Sequence, residues 1–308
     1  MYAEFYGLSE LPFALTPDPR FIYFTPSHTE VMANLHYGIE SGKGLVMVTG
    51  EVGTGKTTIL RWMMQRLDRT VLVAYIFNPR LSVTEFYQQL ASLLDVQNWE
   101  TKPELLAALG QALESRHSRG LRTVLIIDEA HGLSPNVLEE IRLLSNFESN
   151  TAKQLQIVLT GQPELRNVLN NPDLRQLKQR VALRCVIKPL PTVEETDRYI
   201  TSRLLVSGAA RTDLFSQDAI DYIYRCTEGI PRNINNLCDN ALLAGYAAGE
   251  LTIGRSIIQE VAESFDMLPR TDRRVQVGEV NELPGRIFSD ANRAELWAAG
   301  NGTGEHTN

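Results

Sequence analysis

One stretch of this sequence has the residue types and spacing to hold a polyphosphate. Gly50-Glu51-Val52-Gly53-Thr54-Gly55-Lys56-Thr57 satisfies G-x-x-x-x-G-K-[ST] at every position, and Thr58 leads on into a helical run to Leu67. Glycines let backbone N–H groups approach phosphate oxygens, and the dipole of the following helix favours negative charge there. Lys56 is then expected to reach the β- and γ-phosphates of ATP, and the Thr57 hydroxyl to ligate Mg²⁺. A second group fits the same chemistry. Val124-Leu125-Ile126-Ile127 runs into Asp128-Glu129, two carboxylates at the end of an apolar strand. Asp128 suits the magnesium, directly or through its waters. Glu129 suits the task of orienting and deprotonating an attacking water. A protein that only senses nucleotide does not need Glu129, so the pair predicts hydrolysis.

The elements that must position these groups are legible as a pattern. Apolar β-rich runs at Leu45–Thr49, Val71–Phe77, Thr123–Ile127, Gln156–Thr160 and Arg184–Ile187 alternate with helical signals. Such runs suit parallel strands buried on both faces, and the alternation implies a doubly wound α/β sheet. Ligands of such sheets bind at the carboxyl ends of the strands, which brings the two carboxylates beside the phosphate loop. Helix starts are marked by the capping box Ser82-Val83-Thr84-Glu85 and by Ser134-Pro135. After Pro189-Leu190-Pro191 the strand signals stop. Thr192-Val193-Glu194-Glu195 reads as a further capping box, and Ile257, Ile258, Val261, Ala262 and Phe265 recur at helical spacing. Residues 1–26 hold seven aromatics and four prolines, too aromatic for a disordered tail and too proline-rich for a regular helix. They predict an extended arm packed on the body, followed by a helix capped by Ser27 or Thr29 with Val31, Leu35 and Ile39 on one face. The expected organisation is an arm and linker over 1–34, an ATPase core over 35–190, a helical lid over 191–267 and a polar, disordered tail over 268–308.

Composition narrows the function classes. With 43% hydrophobic and 22% charged residues, the 308-residue chain is ordinarily globular. A net charge of -7 argues against nonspecific adhesion to nucleic acid or anionic membranes. Cys185, Cys226 and Cys238 stand far apart without metal-ligand spacing and read as buried reduced thiols. The N-terminus lacks a secretory signal pattern, and no stretch approaches the ~20 apolar residues that span a bilayer. The expected location is the cytoplasm, reaching the inner membrane only peripherally through a partner.

The five strands, the Asp-Glu pair and the helical C-terminal part resemble AAA+ ATPases. The resemblance is nearer still to the general secretion pathway protein A (ExeA-like) family. It is carried by Tyr6-Gly7-Leu8, Pro12-Phe13, Thr16-Pro17-Asp18-Pro19-Arg20, Gly50–Thr58 and Phe77-Asn78-Pro79-Arg80. It continues through Ile127-Asp128-Glu129-Ala130-His131, Leu143-Leu144-Ser145-Asn146, Gly161-Gln162-Pro163-Glu164-Leu165 and Gly229-Ile230-Pro231-Arg232. The resemblance implies a P-loop AAA+ fold with a five-stranded parallel sheet and a C-terminal helical lid. It also implies roles for particular residues. Thr160 would sense the γ-phosphate, with Gln162 as the alternative. Arg232 would be a second sensor, bringing a guanidinium from the lid. Arg180 would be a finger reaching a neighbouring subunit's nucleotide, with Arg175 and Arg184 as rivals. Phe13, Phe21, Tyr23 and Phe24 would wall the adenine or simply pack the arm.

A finger acting in trans implies a homo-oligomer, ring or filament, and a poor ATPase in the isolated chain. Relatives tied to secretion continue into a membrane-spanning helix and a cell-wall-binding domain, so the link to an envelope partner rests on the ATPase portion. The expected function is ATP-driven assembly or remodelling of a bacterial secretion or export apparatus. The alternative is an ATP-dependent DNA-binding switch, similar to transposition target-selection ATPases. The basic run Arg166–Lys188 and Arg225, Arg232 and Arg255 leave that alternative open, and the overall acidity and lack of a basic terminal arm weigh against it.

Overall fold

The computed structural model describes residues 1–77, 80–149 and 152–269. The expected tail therefore lies, from residue 270 on, outside the described residues, as do Asn78 and Pro79. Met1–Met267 forms one compact unit.

The chain opens with a short helix, α1 (Tyr2–Phe5), passes through a 3₁₀ turn at Pro19–Phe21 and enters α2 (Pro26–Glu40). The arm is thus not wholly extended. Neither Ser27 nor Thr29 caps α2: the N-cap is Thr25, with Pro26 at the first helical position, where its missing N–H costs nothing. There follow β1 (Leu45–Gly50), α3 (Lys56–Met64), β2 (Val71–Ile76), α4 (Val83–Leu93) and α5 (Lys102–Ser118). The core continues with β3 (Arg122–Ile127), α6 (Pro135–Leu144), β4 (Gln156–Gly161), α7 (Glu164–Val168), α8 (Arg175–Arg180) and β5 (Val181–Ile187). The last four helices are α9 (Val193–Val206), α10 (Gln217–Thr227), α11 (Pro231–Ala248) and α12 (Arg255–Ser264).

The five strands form one parallel sheet in the order β2-β3-β4-β1-β5. In β1, Leu45 and Met47 join the core on one face while Val46 and Val48 join the core on the other. Helices α2 and α3 cover the second face, and α4 to α8 cover the first. Each fully buried valine, leucine or isoleucine of β3 contributes about 1.5–3 kcal/mol relative to exposure. This double burial is why the central strands read as unbroken apolar runs. Edge strand β5 differs: Ala182, Arg184 and Val186 are exposed while Cys185 and Ile187 are buried, so the strand begins at Val181, three residues before its apolar run.

Both expected helix starts in the core hold, with a reciprocal capping box at Ser82 and Glu85 and a Ser134 cap followed by Pro135. At Thr192 the cap is one-sided. Its hydroxyl accepts from the Glu195 N–H, but the Glu195 carboxylate instead takes the Tyr23 hydroxyl at 2.8 Å and Arg198 at 2.8 Å. Helices α9 to α12 share a core with the arm, whose Tyr2, Tyr6, Leu8 and Phe13 are buried among them. Cys185 and Cys238 are buried as expected, and burial raises both thiols; Cys226 is only half-buried. Among the described residues no helix is long and apolar enough to cross a membrane.

Candidate active site

Sheet order fixes the geometry of the site. The phosphate loop leaves the end of β1, and the Asp128-Glu129 pair leaves the end of β3, with β4 between them. Register places Thr160 of β4 beside Val48 and one step past the Leu159–Ile127 pair. Asp128 and Thr160 therefore meet at the same level, and the Thr160 hydroxyl donates to Asp128 Oδ1. The Thr57 hydroxyl, one residue into α3, donates to Asp128 Oδ2 at 2.8 Å. Tyr75 on β2 adds a third hydroxyl at 3.0 Å, and the Glu129 N–H completes the set at 3.0 Å. Asp128 is fully buried. A carboxylate and a hydroxyl are hard oxygen donors of the kind Mg²⁺ accepts while keeping several waters. Among the described residues no cluster of three or more His, Cys, Asp or Glu offers a cage for a metal.

Lys56 is buried, and its ammonium donates to the carbonyls of Gly50 at 2.8 Å and Glu51 at 3.0 Å. Burial lowers its pKa, opposed by the carboxylates of Glu129 and Asp128 and reinforced by the positive charge of Arg232. Gly53 has φ +85°, and a Cβ there would stand 2.5 Å from the Cβ of Arg232. The Arg232 N–H in turn donates to the Gly53 carbonyl at 3.1 Å. The start of α11 is therefore seated directly on the phosphate loop.

A cleft of about 940 Å³, its open mouth included, lies over this loop. Residues Val52 to Thr58, Glu129 and Arg232 line it. Gly50 and Glu51 do not line the cleft and contribute through the carbonyls that hold Lys56. The arm supplies the opposite wall with Ala14 to Asp18 and Phe21 to Tyr23. Of the four aromatics considered for the adenine, only Phe21 and Tyr23 line the cleft. Phe13 is buried edge-on against Phe215 among the C-terminal helices, and Phe24 sits edge-on to Trp62 at the surface.

Glu129 adopts a left-handed conformation, φ 54°, which turns its side chain out of the strand. Its carboxylate lies 3.3 Å from His131 Nδ1, and the far nitrogen of that ring lies 3.1 Å from the amide of Gln162. Gln162 is thus one side chain removed from Glu129, while the Thr160 hydroxyl is engaged with Asp128. The three candidate finger arginines do not line the cleft. Arg180, half-buried at the end of α8, donates to the Ser145 hydroxyl at 3.2 Å. Arg184 reaches the Lys178 carbonyl at 3.2 Å, and Arg175 is exposed.

Several residues of the site carry no sequence motif. Tyr75 contacts Asp128, and His28 reaches the Thr54 carbonyl at 3.2 Å. Arg203 of α9, 6% exposed, donates to the arm carbonyls of Pro12 at 2.5 Å and Ala14 at 3.3 Å. For His28 a local signal existed, since Thr-Pro-x-His is a cap, a first-turn proline and a third position able to close the cap. For Tyr75 and Arg203 only the tertiary fold supplies the partner.

A parallel sheet in this order, a phosphate loop after β1 and an acidic pair after β3 define the AAA+ class of P-loop proteins. Residues 39–169 match the AAA domain family. An AAA domain is a nucleotide-binding unit. More particularly, the chain is 41% identical over 254 residues to general secretion pathway protein A of Aeromonas hydrophila. That match covers 81% of this chain and 46% of the relative, so the chain spans about half of that protein's length. It is 26% identical over 268 residues to ATP-dependent target DNA activator B of Escherichia phage Mu, covering 86% of this chain and 78% of that protein. Among solved structures, Cdc6p from Pyrobaculum aerophilum aligns with a TM-score of 0.66 at 20% identity, over 87% of this chain and 73% of that one. The Thermotoga maritima RuvB Holliday junction branch migration motor aligns with a TM-score of 0.52 at 18% identity, over 82% of this chain and 76% of that one. At those identities the structural likeness speaks for the fold alone.

Proposed function

We propose that this chain is a magnesium-dependent ATP hydrolase that works as a homo-oligomer. The observation that carries the reading is that Lys56, Thr57 and Glu129 line one cleft, while the Thr57 hydroxyl reaches the buried Asp128 carboxylate behind it at 2.8 Å. The loop N–H groups and Lys56 would bind the β- and γ-phosphates, and Thr57 and Asp128 would hold the magnesium. The bound ion would neutralise charge on the phosphate oxygens. Thr160 fixes the Asp128 carboxylate, and Gln162, through His131, steadies Glu129. Glu129 takes a proton from the attacking water. Arg232, arriving on α11, adds positive charge on the lid side. Arg180, absent from the cleft lining of its own chain, is assigned to the nucleotide of a neighbouring subunit, where such a finger contributes about 10³-fold or more in rate.

The biological task we assign is assembly or remodelling of a bacterial secretion or export apparatus in the envelope. The 41% identity to general secretion pathway protein A supports it. The weaker relationship to a target DNA activator supports the second reading, an ATP-dependent DNA-binding switch. Phosphate release with ATP and Mg²⁺ tests the enzyme: wild-type protein should turn over and Lys56→Ala or added chelator should stop it. Release unaffected by Lys56→Ala would overturn the assignment. Filter binding to duplex DNA separates the two tasks. Tight, ATP-dependent and salt-sensitive binding would replace the envelope reading with the DNA switch.

A further inference from the structure

We infer that His28 is a positioning residue for the phosphate loop: its neutral imidazole, with the proton on Nε2, holds the Thr54 carbonyl and thereby sets the loop for phosphate. The inference rests on the nucleotide-binding reading of the cleft and adds a residue outside the loop motif.

The hydrogen bonds fix the tautomer. Nδ1 of His28 lies 3.2 Å from the Thr25 backbone nitrogen and 2.8 Å from the Thr25 hydroxyl. A backbone N–H can only donate, so Nδ1 must present its lone pair. The single proton of a neutral ring is then on Nε2. Nε2 lies 3.2 Å from the Thr54 carbonyl, which can only accept. The two assignments, made at opposite sides of the ring, agree. His28 is 5% exposed, and burial pushes its pKa below the ordinary histidine value, which keeps the ring neutral.

The position of the ring explains why a histidine stands there. The Thr25 hydroxyl accepts the His28 N–H at 3.2 Å while the His28 side chain accepts the Thr25 N–H, closing a reciprocal capping box at the start of α2. Glutamate or glutamine commonly closes such a box. Imidazole closes it with one nitrogen and keeps a second, on its far side, for another segment.

The segment it reaches is flanked by two glycines. Thr54 lies between Gly53 at φ +85° and Gly55 at φ +96°, residues with no side chain to restrain the peptide planes. Within the loop, the Thr54 hydroxyl donates to the Glu51 carbonyl at 2.9 Å. His28 restrains the loop from outside. Because a trans peptide sets C=O and the next N–H in opposite directions, anchoring the Thr54 carbonyl on His28 turns the Gly55 N–H away from the ring. An anion-binding loop depends on such N–H directions.

Two near-isosteric variants separate the roles of the two nitrogens. Asparagine places a polar atom near Nδ1 and nothing near Nε2, so His28→Asn keeps the cap and loses the loop contact. Glutamine reaches as far as Nε2, so His28→Gln keeps a donor for Thr54. Dissociation constants for a fluorescent ATP analogue with Mg²⁺ are measured on both, with nucleotide-free melting curves confirming that each is folded. The expected result is near wild-type affinity for His28→Gln and about tenfold weaker binding for His28→Asn. Equal affinities, or the reverse order, would overturn the inference and leave His28 as a helix cap. If neither variant folds, the ring ¹⁵N shifts of wild-type protein decide: a protonated Nδ1 overturns it, and a protonated Nε2 sustains it. Failure of the wild-type protein to bind the analogue would instead sink the nucleotide reading of the cleft, independently of the tautomer.

Discussion

Replacing Arg203 by leucine should loosen the arm from the C-terminal helices and melt the protein several degrees early. Arg203 is buried; its hydrogen-bond partners are neutral, and its charge adds to that of Arg20 in holding the Asp18 carboxyl below the usual carboxylate range. Its guanidinium donates to the carbonyls of Pro12 and Ala14 and to the Tyr199 hydroxyl at 3.2 Å, with the Phe21 ring 4.7 Å beneath it. Hydrogen bonds made by a charged group contribute about 1.5–3 kcal/mol each, and the two arm carbonyls would lose theirs. The leucine recovers part of that loss, because a buried guanidinium is costly to desolvate. Tyr199 keeps its bond to Asn235 at 2.8 Å. The net loss is about 2–4 kcal/mol, which for a unit of this size lowers Tm by roughly 5–10 °C. Arg203→Lys should fall between, since an ammonium lacks the fork that spans two carbonyls. Thermal unfolding gives the Tm, and limited proteolysis should show new cleavage within residues 1–25. A leucine variant that melts within about 1 °C of wild type and keeps a protected arm would refute the reasoning.

Two further substitutions probe the walls of the cleft. Gly53→Ala puts a methyl 2.5 Å from the Arg232 Cβ at a backbone angle that costs about 1–2 kcal/mol, so the start of α11 must lift off the loop. ATP affinity should drop about tenfold or more, and an unaltered titration curve would show that this contact is unimportant. Arg180→Ala should abolish phosphate release while ATP binding survives. Normal turnover in that variant would reject the finger.

How much was legible in the sequence depended on where each group's partners lie. The phosphate loop is a local structure, so eight consecutive residues announce it. Strands β1, β3 and β4 are buried on both faces and read as apolar runs. Strand β5 is an edge whose Arg184 breaks the run, so its first residues were missed. Ser27 and Thr29 are cap-type residues too, but Pro26 suits the first helical position and so leaves Thr25 as the cap. Tyr75 and Arg203 are invisible in sequence for a physical reason. Tyr75 meets Asp128 53 positions along the chain, and Arg203 meets Pro12 191 positions away; only the sheet order and the docking of the arm bring them together. The aromatic arm shows the same limit. Its composition said that it packs, but not that Phe21 and Tyr23 would face the cleft while Phe13 turned into the helices.

The central claim, that Glu129 activates the water that cleaves ATP at this site, is tested most directly by single-turnover phosphate release from Glu129→Gln. Glutamine keeps the size of the side chain and removes its basicity, and general bases contribute about 10²–10⁴-fold in rate. The account predicts that release slows by at least about a hundredfold while ATP stays bound through gel filtration. Undiminished phosphate release would contradict it.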